Sequence, residues 1–145
     1  MTLKSIKENA IINIQSRQTA HGVSETVDFT TTGSFYMRGV KYYVFYNERE
    51  EMGMADCRVM LIADADTVSM RRSGAFELKL FYRAGESESV IYYMPFGEVN
   101  MTQTTHSVEC NMSDAGGVIK VRYTLCMGVE EQLNELTIRV GRQKE

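Results

Sequence analysis

Hydrophobic and polar residues alternate along most of the chain in short segments that are separated by turn-forming residues. The clearest case is Val118–Met127, where every second side chain is apolar and the others are mostly charged or polar. A period of two places alternate side chains on opposite faces of a β-strand. No long segment has the 3.6-residue period of an amphipathic helix. The pattern therefore predicts an all-β protein.

The same pattern predicts about eight to ten strands with short connections. They cover Ile6–Arg17, Ser24–Arg38, Val40–Tyr46, Cys57–Ala63, a hairpin within Thr67–Tyr82 that turns at Ser73-Gly74, Ser89–Met94, Glu98–Met112 with a bend near its threonines, Val118–Met127, and a last strand through Leu136, Ile138 and Val140. We read the polar segment Glu48–Asp56 as a longer loop. Local connections favour a single antiparallel, mainly up-and-down barrel over a sandwich, because closure removes exposed strand edges.

Composition narrows the class of protein. At 145 residues, the chain has the length of one domain, which we expect to span 1–145 and to need no metal or disulfide for stability. The net charge of −3 and the scattered basic residues argue against nucleic acid as a partner. No apolar run is long enough to span a bilayer, so we expect no membrane association.

Cysteine usage indicates a reducing compartment. There are three cysteines, no pair has metal-type spacing, and the first nine residues lack the apolar segment of a secretory signal. We therefore expect reduced thiols, a cytoplasmic location and no cofactor. A zinc site that combines scattered cysteines with His21 or His106 is a weaker alternative, because local ligand spacing is absent.

Arg72 is the main anomaly in the pattern. It shares one strand phase with Val68 and Met70, so a cation stands where the alternation calls for an apolar residue. Glu48 continues the core-facing phase of Val40–Tyr46 in the same way. Because an isolated buried charge is too costly, we expect the two to form an ion pair near one mouth of the barrel. The pair either receives an anionic ligand group at the arginine fork or closes the barrel structurally, and closure is the favoured reading.

Tyrosines supply the second group of candidates. All eight are predicted in strands, and Tyr36, Tyr46 and Tyr92 stand with Arg72 and Glu48 as candidates to line or gate the lumen. Aromatic rings with polar tips suit an amphipathic ligand in a mostly apolar cavity. Ordinary strand propensity and core packing explain the same residues more simply.

Enzymatic motifs are weak. The two histidines fall in a predicted turn and near a predicted strand break, and Ser73 lacks the context of a nucleophile elbow. Gly116-Gly117 reads as a hairpin turn, since no phosphate-binding or dinucleotide fingerprint is present. The sequence favours a protein without catalytic activity.

Several short motifs recur in an order that resembles a known family. They are Thr31-Thr32-Gly33 with Tyr36, Tyr46 with Glu48, Arg72-Ser73-Gly74, Tyr92, Pro95-Phe96-Gly97, Gly128, and Leu136-Thr137-Ile138. This set resembles the YwiB-like family, uncharacterised proteins found mostly in Gram-positive bacteria, although the family tends to have Tyr where this chain has Phe96. The resemblance implies a calycin-like barrel, related in architecture to lipocalins, and assigns no activity.

The leading functional hypothesis is the non-enzymatic binding of a small, partly apolar ligand in a calycin-like barrel. The main alternative is a barrel filled by its own side chains that acts through its outer surface, either on a protein partner or as a structural module. An enzyme of unknown class comes third. We expect a monomer or a homodimer.

Overall fold

The computed structural model of the chain describes residues 8–49 and 56–143, and all regular structure in them is β-strand. The strands are β1 (Ala10–Ala20), β2 (Val23–Arg38), β3 (Lys41–Glu48), β4 (Cys57–Ala63), β5 (Thr67–Gly74), β6 (Leu78–Arg83), β7 (Ser87–Met94), β8 (Gly97–Ser113), β9 (Gly116–Met127) and β10 (Glu130–Arg142). Within the described ranges, no helix is long and apolar enough to cross a membrane.

Nearly every strand pairs antiparallel with its neighbours in sequence, and the chain closes on itself through β1 and β10. The sheet runs in the order β6-β5-β4-β3-β2-β1-β10-β9-β8-β7. Its two edge strands, β6 and β7, approach each other near one end, where Glu77 and Tyr93 form an isolated antiparallel bridge. The result is a nearly closed, up-and-down β-barrel, which confirms the predicted fold class.

Alternation decides which side chains fill the barrel. In β4, for example, Cys57, Val59, Leu61 and Ala63 are buried, and the residues between them are more exposed. Side chains from all ten strands meet in one hydrophobic cluster. Apart from the polar groups described below, this cluster occupies the lumen, so the barrel is a packed core.

Some strand ends differ from the predicted ones. The last strand, β10, begins at Glu130 rather than near Leu136, because its whole length pairs with β9 from Met127 onward. The predicted start of the first strand at Ile6 lies outside the described residues, as do residues 50–55 of the predicted loop.

The central hairpin turns later than predicted, at residues 75–76 instead of Ser73-Gly74. Gly74 still belongs to β5 and pairs with Cys57 of β4. Its φ of +127° is a backbone conformation that glycine adopts readily and other residues rarely adopt. A Cβ at this position would lie 2.7 Å from the carbonyl oxygen of Asp56. The glycine therefore permits close strand contact and does not form the turn.

Two irregularities interrupt the regular pairing of the sheet, and the one in β8 lies near the threonines where the sequence predicted a bend. In β8 the pairing register with β9 shifts between Thr105 and Ser107, which places a bulge at His106. In β2, Gly33 is the last residue paired with β1, and Ser34 is the first paired with β3. The strand thus passes from one neighbour to the next at a glycine.

Replacing Gly33 with Ala should destabilise the barrel by about 3 kcal/mol or more, since the added Cβ would overlap the Phe45 carbonyl oxygen and the Ile12 side chain. Urea unfolding would measure the change. Gly141→Ala is the matched control, because Gly141 is also in a strand and has nothing within 4 Å of its Cβ position. We expect the control to change stability by less than about 1 kcal/mol. Equal effects of the two substitutions would contradict this role of Gly33.

Candidate functional site

Arg72 and Glu48 form a two-point ion pair inside the barrel. The Nε of Arg72 donates to Glu48 Oε1 and its Nη2 donates to Oε2, each at 2.9 Å. The Glu48 side chain is 3% exposed and that of Arg72 is 19% exposed. Their strands bring them together through β4, because Glu48 pairs with Cys57 and Arg72 with Val59. The structure therefore brings these two predicted residues together.

Burial and the charges of the pair together shift the pKa values of Arg72 and Tyr46. Burial lowers the pKa of Arg72, but the charge and hydrogen bonds of Glu48 outweigh it and leave the pKa raised. Burial raises the pKa of Tyr46 strongly, and the negative charge of Glu48 adds to the shift. Tyr46 therefore keeps its proton at neutral pH.

Further polar side chains surround this pair in the lumen. The ring centroids of Tyr82 and Tyr123 lie 4.7 Å apart. Burial is the main cause of the raised pKa of each hydroxyl. Gln103 donates through Nε2 to Thr105 Oγ1 at 2.7 Å. Among the described residues, the Tyr82 hydroxyl and Gln103 Oε1 are the two buried side-chain atoms without a well-formed hydrogen bond. The Tyr123 hydroxyl influences the pKa of Tyr82 but is not placed for a hydrogen bond of good geometry.

Two aromatic side chains cover the outer side of the pair. The Arg72 Cζ lies 5.9 Å from the ring centroid of Phe76, a residue of the hairpin turn. Phe76 in turn meets Tyr92 edge-on, with ring centroids 5.0 Å apart. Tyr92 is half-buried, and burial is the first cause of its raised pKa. Tyr92 thus lies at this mouth of the barrel beside Arg72.

Tyr36 is not part of this group. Its neighbour Phe35 is fully buried, so Tyr36 points to the outer face of β2. There it stacks on Tyr43 at a centroid distance of 4.9 Å and on Phe45 at 5.9 Å. Of the five candidates, four lie at or near the lumen mouth and Tyr36 lies on the outer wall.

The barrel is open along the seam between β6 and β7. At one end, the backbone groups of Glu77 and Tyr93 exchange hydrogen bonds of 2.8 and 2.9 Å. Farther along, the Phe81 amide donates to the side chain of Glu88 at 3.0 Å, so a carboxylate takes the place of a backbone acceptor. The gap leaves a cleft of about 690 Å³ on the barrel wall.

Both histidines lie on the outer surface of the barrel. His21 contacts Glu130 at 2.6 Å and His106 contacts Thr124 Oγ1 at 2.7 Å, both on the exposed surface. The three cysteines are unpaired, and no cluster of three or more potential metal ligands occurs among the described residues. The contact of His106 with the Thr124 hydroxyl joins a base to a potential nucleophile, and it lies on the exposed outer wall of the barrel.

Comparison with known proteins agrees with this architecture. Residues 12–140 match the sequence profile of a family described as "Domain of unknown function (DUF1934)". The chain belongs to the DUF1934 family. It is 30% identical over 118 residues to the "Uncharacterized beta-barrel protein YwiB" of Bacillus subtilis (strain 168). The aligned region covers 81% of this chain and 82% of that protein. The predicted resemblance to the YwiB-like family is thereby confirmed.

A solved structure extends the match to the three-dimensional fold. The crystal structure of the ywiB protein from Bacillus subtilis superposes with a TM-score of 0.83 at 25% identity, over 97% of each chain. The DUF1934 barrel is therefore shared along almost the whole length. The function of this family is unknown, so the comparisons supply a fold and no activity.

Sequence reasoning missed several members of the polar group in this DUF1934 barrel. Gln103 and Thr105 share the strand phase of Met101, and Asn134 shares that of Leu136, so their parity alone indicated burial. With the predicted turn at Ser73-Gly74, Phe76 falls in the second strand of the hairpin, whereas in the structure it lies in the turn and covers Arg72. A strict parity count would have found the first three, while the position of Phe76 depends on where the hairpin turns.

Replacing Arg72 with Met should destabilise the barrel by about 3–5 kcal/mol, because Glu48 would keep a buried charge without its partner. Replacing both residues with Met should recover most of that loss, since no unpaired charge remains. Chemical denaturation of the two variants and the wild type would measure the difference. An Arg72→Met protein as stable as the wild type would contradict the closing role of the pair.

Proposed function

We propose that the protein is a binding protein without enzymatic activity that holds a small, partly apolar ligand in the open seam between β6 and β7. The observation that carries this proposal is the cleft of about 690 Å³ at the seam, beside a lumen occupied by core side chains. A cleft of several hundred cubic ångströms has the size of a small-molecule site.

The lining of the cleft suits an amphipathic molecule. Its apolar part is formed by Leu78, Leu80 and Val90 of the core together with the partly exposed Phe81, Ile91 and Tyr93. Its polar part is formed by Arg71, Lys79, Glu77, Glu88 and Ser89. Both kinds of group converge on one concave surface, which is the usual composition of a ligand site.

The strand edges add directional groups. Because Glu77 and Phe81 direct their amides toward β7, the residue between them, Lys79, points its backbone groups the same way. No ladder partner of Lys79 on that side occurs among the described pairings. An edge of this kind offers hydrogen bonds to a bound molecule.

Within this proposal the Arg72–Glu48 pair and Tyr46 hold the barrel end together, which agrees with the closing role favoured by the sequence. Tyr92 stands next to Tyr93, so it borders the seam as well as the mouth. A ligand at Arg72 itself would have to displace Phe76 or compete with Glu48 for the guanidinium.

A second candidate is a barrel that acts through its outer surface on a protein partner. The observation in its favour is the outward stack of Tyr36, Tyr43 and Phe45, which is aromatic and only partly covered. Tyrosine and phenylalanine on a surface are typical of interaction sites. We also place the protein in the cytoplasm, a proposal that its three unpaired cysteines support.

Ile91→Arg should weaken binding of the neutral dye N-phenyl-1-naphthylamine at least about tenfold, because a charged side chain would enter the apolar part of the seam. The rise in dye fluorescence on binding measures the affinity. Ile11→Arg is the matched control, since Ile11 is 46% exposed on the wall formed by β1 and Ile91 is 40% exposed. We expect the control to bind the dye as the wild type does.

Wild-type protein that does not bind the dye would overturn the proposed ligand class. Equal dye affinity in the wild type and in Ile91→Arg would show that the dye binds outside the seam. Urea unfolding of both variants shows that any loss of binding is local, because each substitution is on the surface and should change stability by about 0.5 kcal/mol or less.

A further inference from the structure

Two arginines lie side by side on the outer wall formed by β3, β4 and β5. Arg58 of β4 stands opposite Asn47 of β3 on one side and Ser73 of β5 on the other. Arg71 is two residues before Ser73 on the same strand and is the diagonal neighbour of Arg58. Diagonal Cβ atoms lie about 7–8 Å apart, which long side chains span. The sheet thus gathers two cations and two small hydrogen-bonding side chains on one face.

Neither guanidinium has an ion-pair partner among the described residues. Arg72 instead pairs with Glu48 on the inner face, and Arg83 pairs with Glu86 in a turn. Arg58 and Arg71 are both exposed. Two neighbouring like charges repel each other, so an anion between them would be stabilised by both.

A cleft of about 460 Å³ contains both arginines. Asn47, Ser73 and Ser34 also line it, and Phe45 and Met60 contribute an apolar surface. A second cleft, of about 620 Å³, shares Asn47, Arg58 and Ser73 with the first. We call the first one the Arg58–Arg71 cleft.

The carboxylates near this cleft either line the second cleft or make contacts with other side chains. Glu8 lines the cleft, and its Oε1 accepts a hydrogen bond from the Thr32 hydroxyl at 3.0 Å. Glu48 lines only the second cleft, and both of its oxygens accept from Arg72. Asp56 also belongs to the second cleft and has contacts of its own. Among the described residues, none of these carboxylates forms an ion pair with Arg58 or Arg71, so the two guanidinium groups can bind a ligand.

We propose that the Arg58–Arg71 cleft binds the phosphate group of a small phosphorylated molecule whose apolar part lies on Phe45 and Met60. Two guanidinium groups match the charge of a dianion, and each can donate two parallel hydrogen bonds to its oxygens. The Ser73 hydroxyl and the Asn47 amide supply further donors. A polynucleotide would need a longer cationic track than one pair of arginines.

This site is distinct from the proposed seam site. Arg71 and Met60 line both clefts, whereas Arg58 lines the outer cleft and not the seam cleft. Variants of Arg58 therefore separate the two proposals. If Arg58→Gln loses phosphate binding and keeps its dye binding, the substitution has changed the phosphate site alone.

Isothermal titration calorimetry at low salt with AMP, adenosine and inorganic phosphate tests the proposal. We expect the wild type to bind AMP, and we expect Arg58→Gln/Arg71→Gln to bind it at least about tenfold more weakly because both forks are lost. Adenosine should bind at least about tenfold more weakly than AMP, since it lacks the anion. Arg122→Gln is the matched control, because Arg122 is an exposed arginine on the outer wall formed by β9; its AMP affinity should stay within about twofold of the wild type.

The outcomes separate the parts of the proposal. No binding of AMP or inorganic phosphate by the wild type, or equal AMP affinity in the double variant, would overturn it. Inorganic phosphate that binds as tightly as AMP would support the arginine site and overturn the role of Phe45 and Met60. An equal loss in Arg122→Gln would show that the general charge of the surface, and not this cleft, attracts the anion.

Discussion

A charge inside a barrel must be neutralised by a partner that is already in place, and in this protein that partner is Glu48 for Arg72. The requirement reaches beyond the two residues. Their strands must keep one register through β4, because a shift by one residue would turn either side chain to the outer wall. The tyrosines around the pair stay neutral through burial and complete a polar layer at one end of an otherwise apolar lumen.

Closure of the barrel places the accessible surface on its walls and along one seam. A lumen filled by side chains resembles the interior of a small structural barrel more than that of a ligand-carrying one. The two clefts proposed as ligand sites on this DUF1934 member lie along the interrupted β6–β7 ladder and on the outer face of β3–β5. In both places the sheet supplies a rigid platform, so recognition would require little rearrangement of the backbone.

Much of the fold follows from parity along the chain. Alternation predicted an antiparallel meander, and the phase anomaly at Arg72 together with Glu48 predicted the buried pair, which the structure brings together at 2.9 Å. Parity could not reveal the seam, because an open ladder between β6 and β7 depends on how the strands twist around the whole barrel. Parity also places Tyr36 on the face opposite Phe29 and Phe35, which pack in the core, so Tyr36 was chosen as a lumen candidate for its residue type and against the alternation.

The pairing of β1 with β10 has a consequence for the order of folding. Every other ladder joins strands that follow one another, whereas Ile12 and Ile14 must wait for Val140 and Ile138 at the far end of the chain. Bringing such distant segments together carries a large loop-closure entropy, which slows the step in which they meet. During synthesis, the edge of β1 that pairs with β10 therefore stays without its partner until the last strand has left the ribosome.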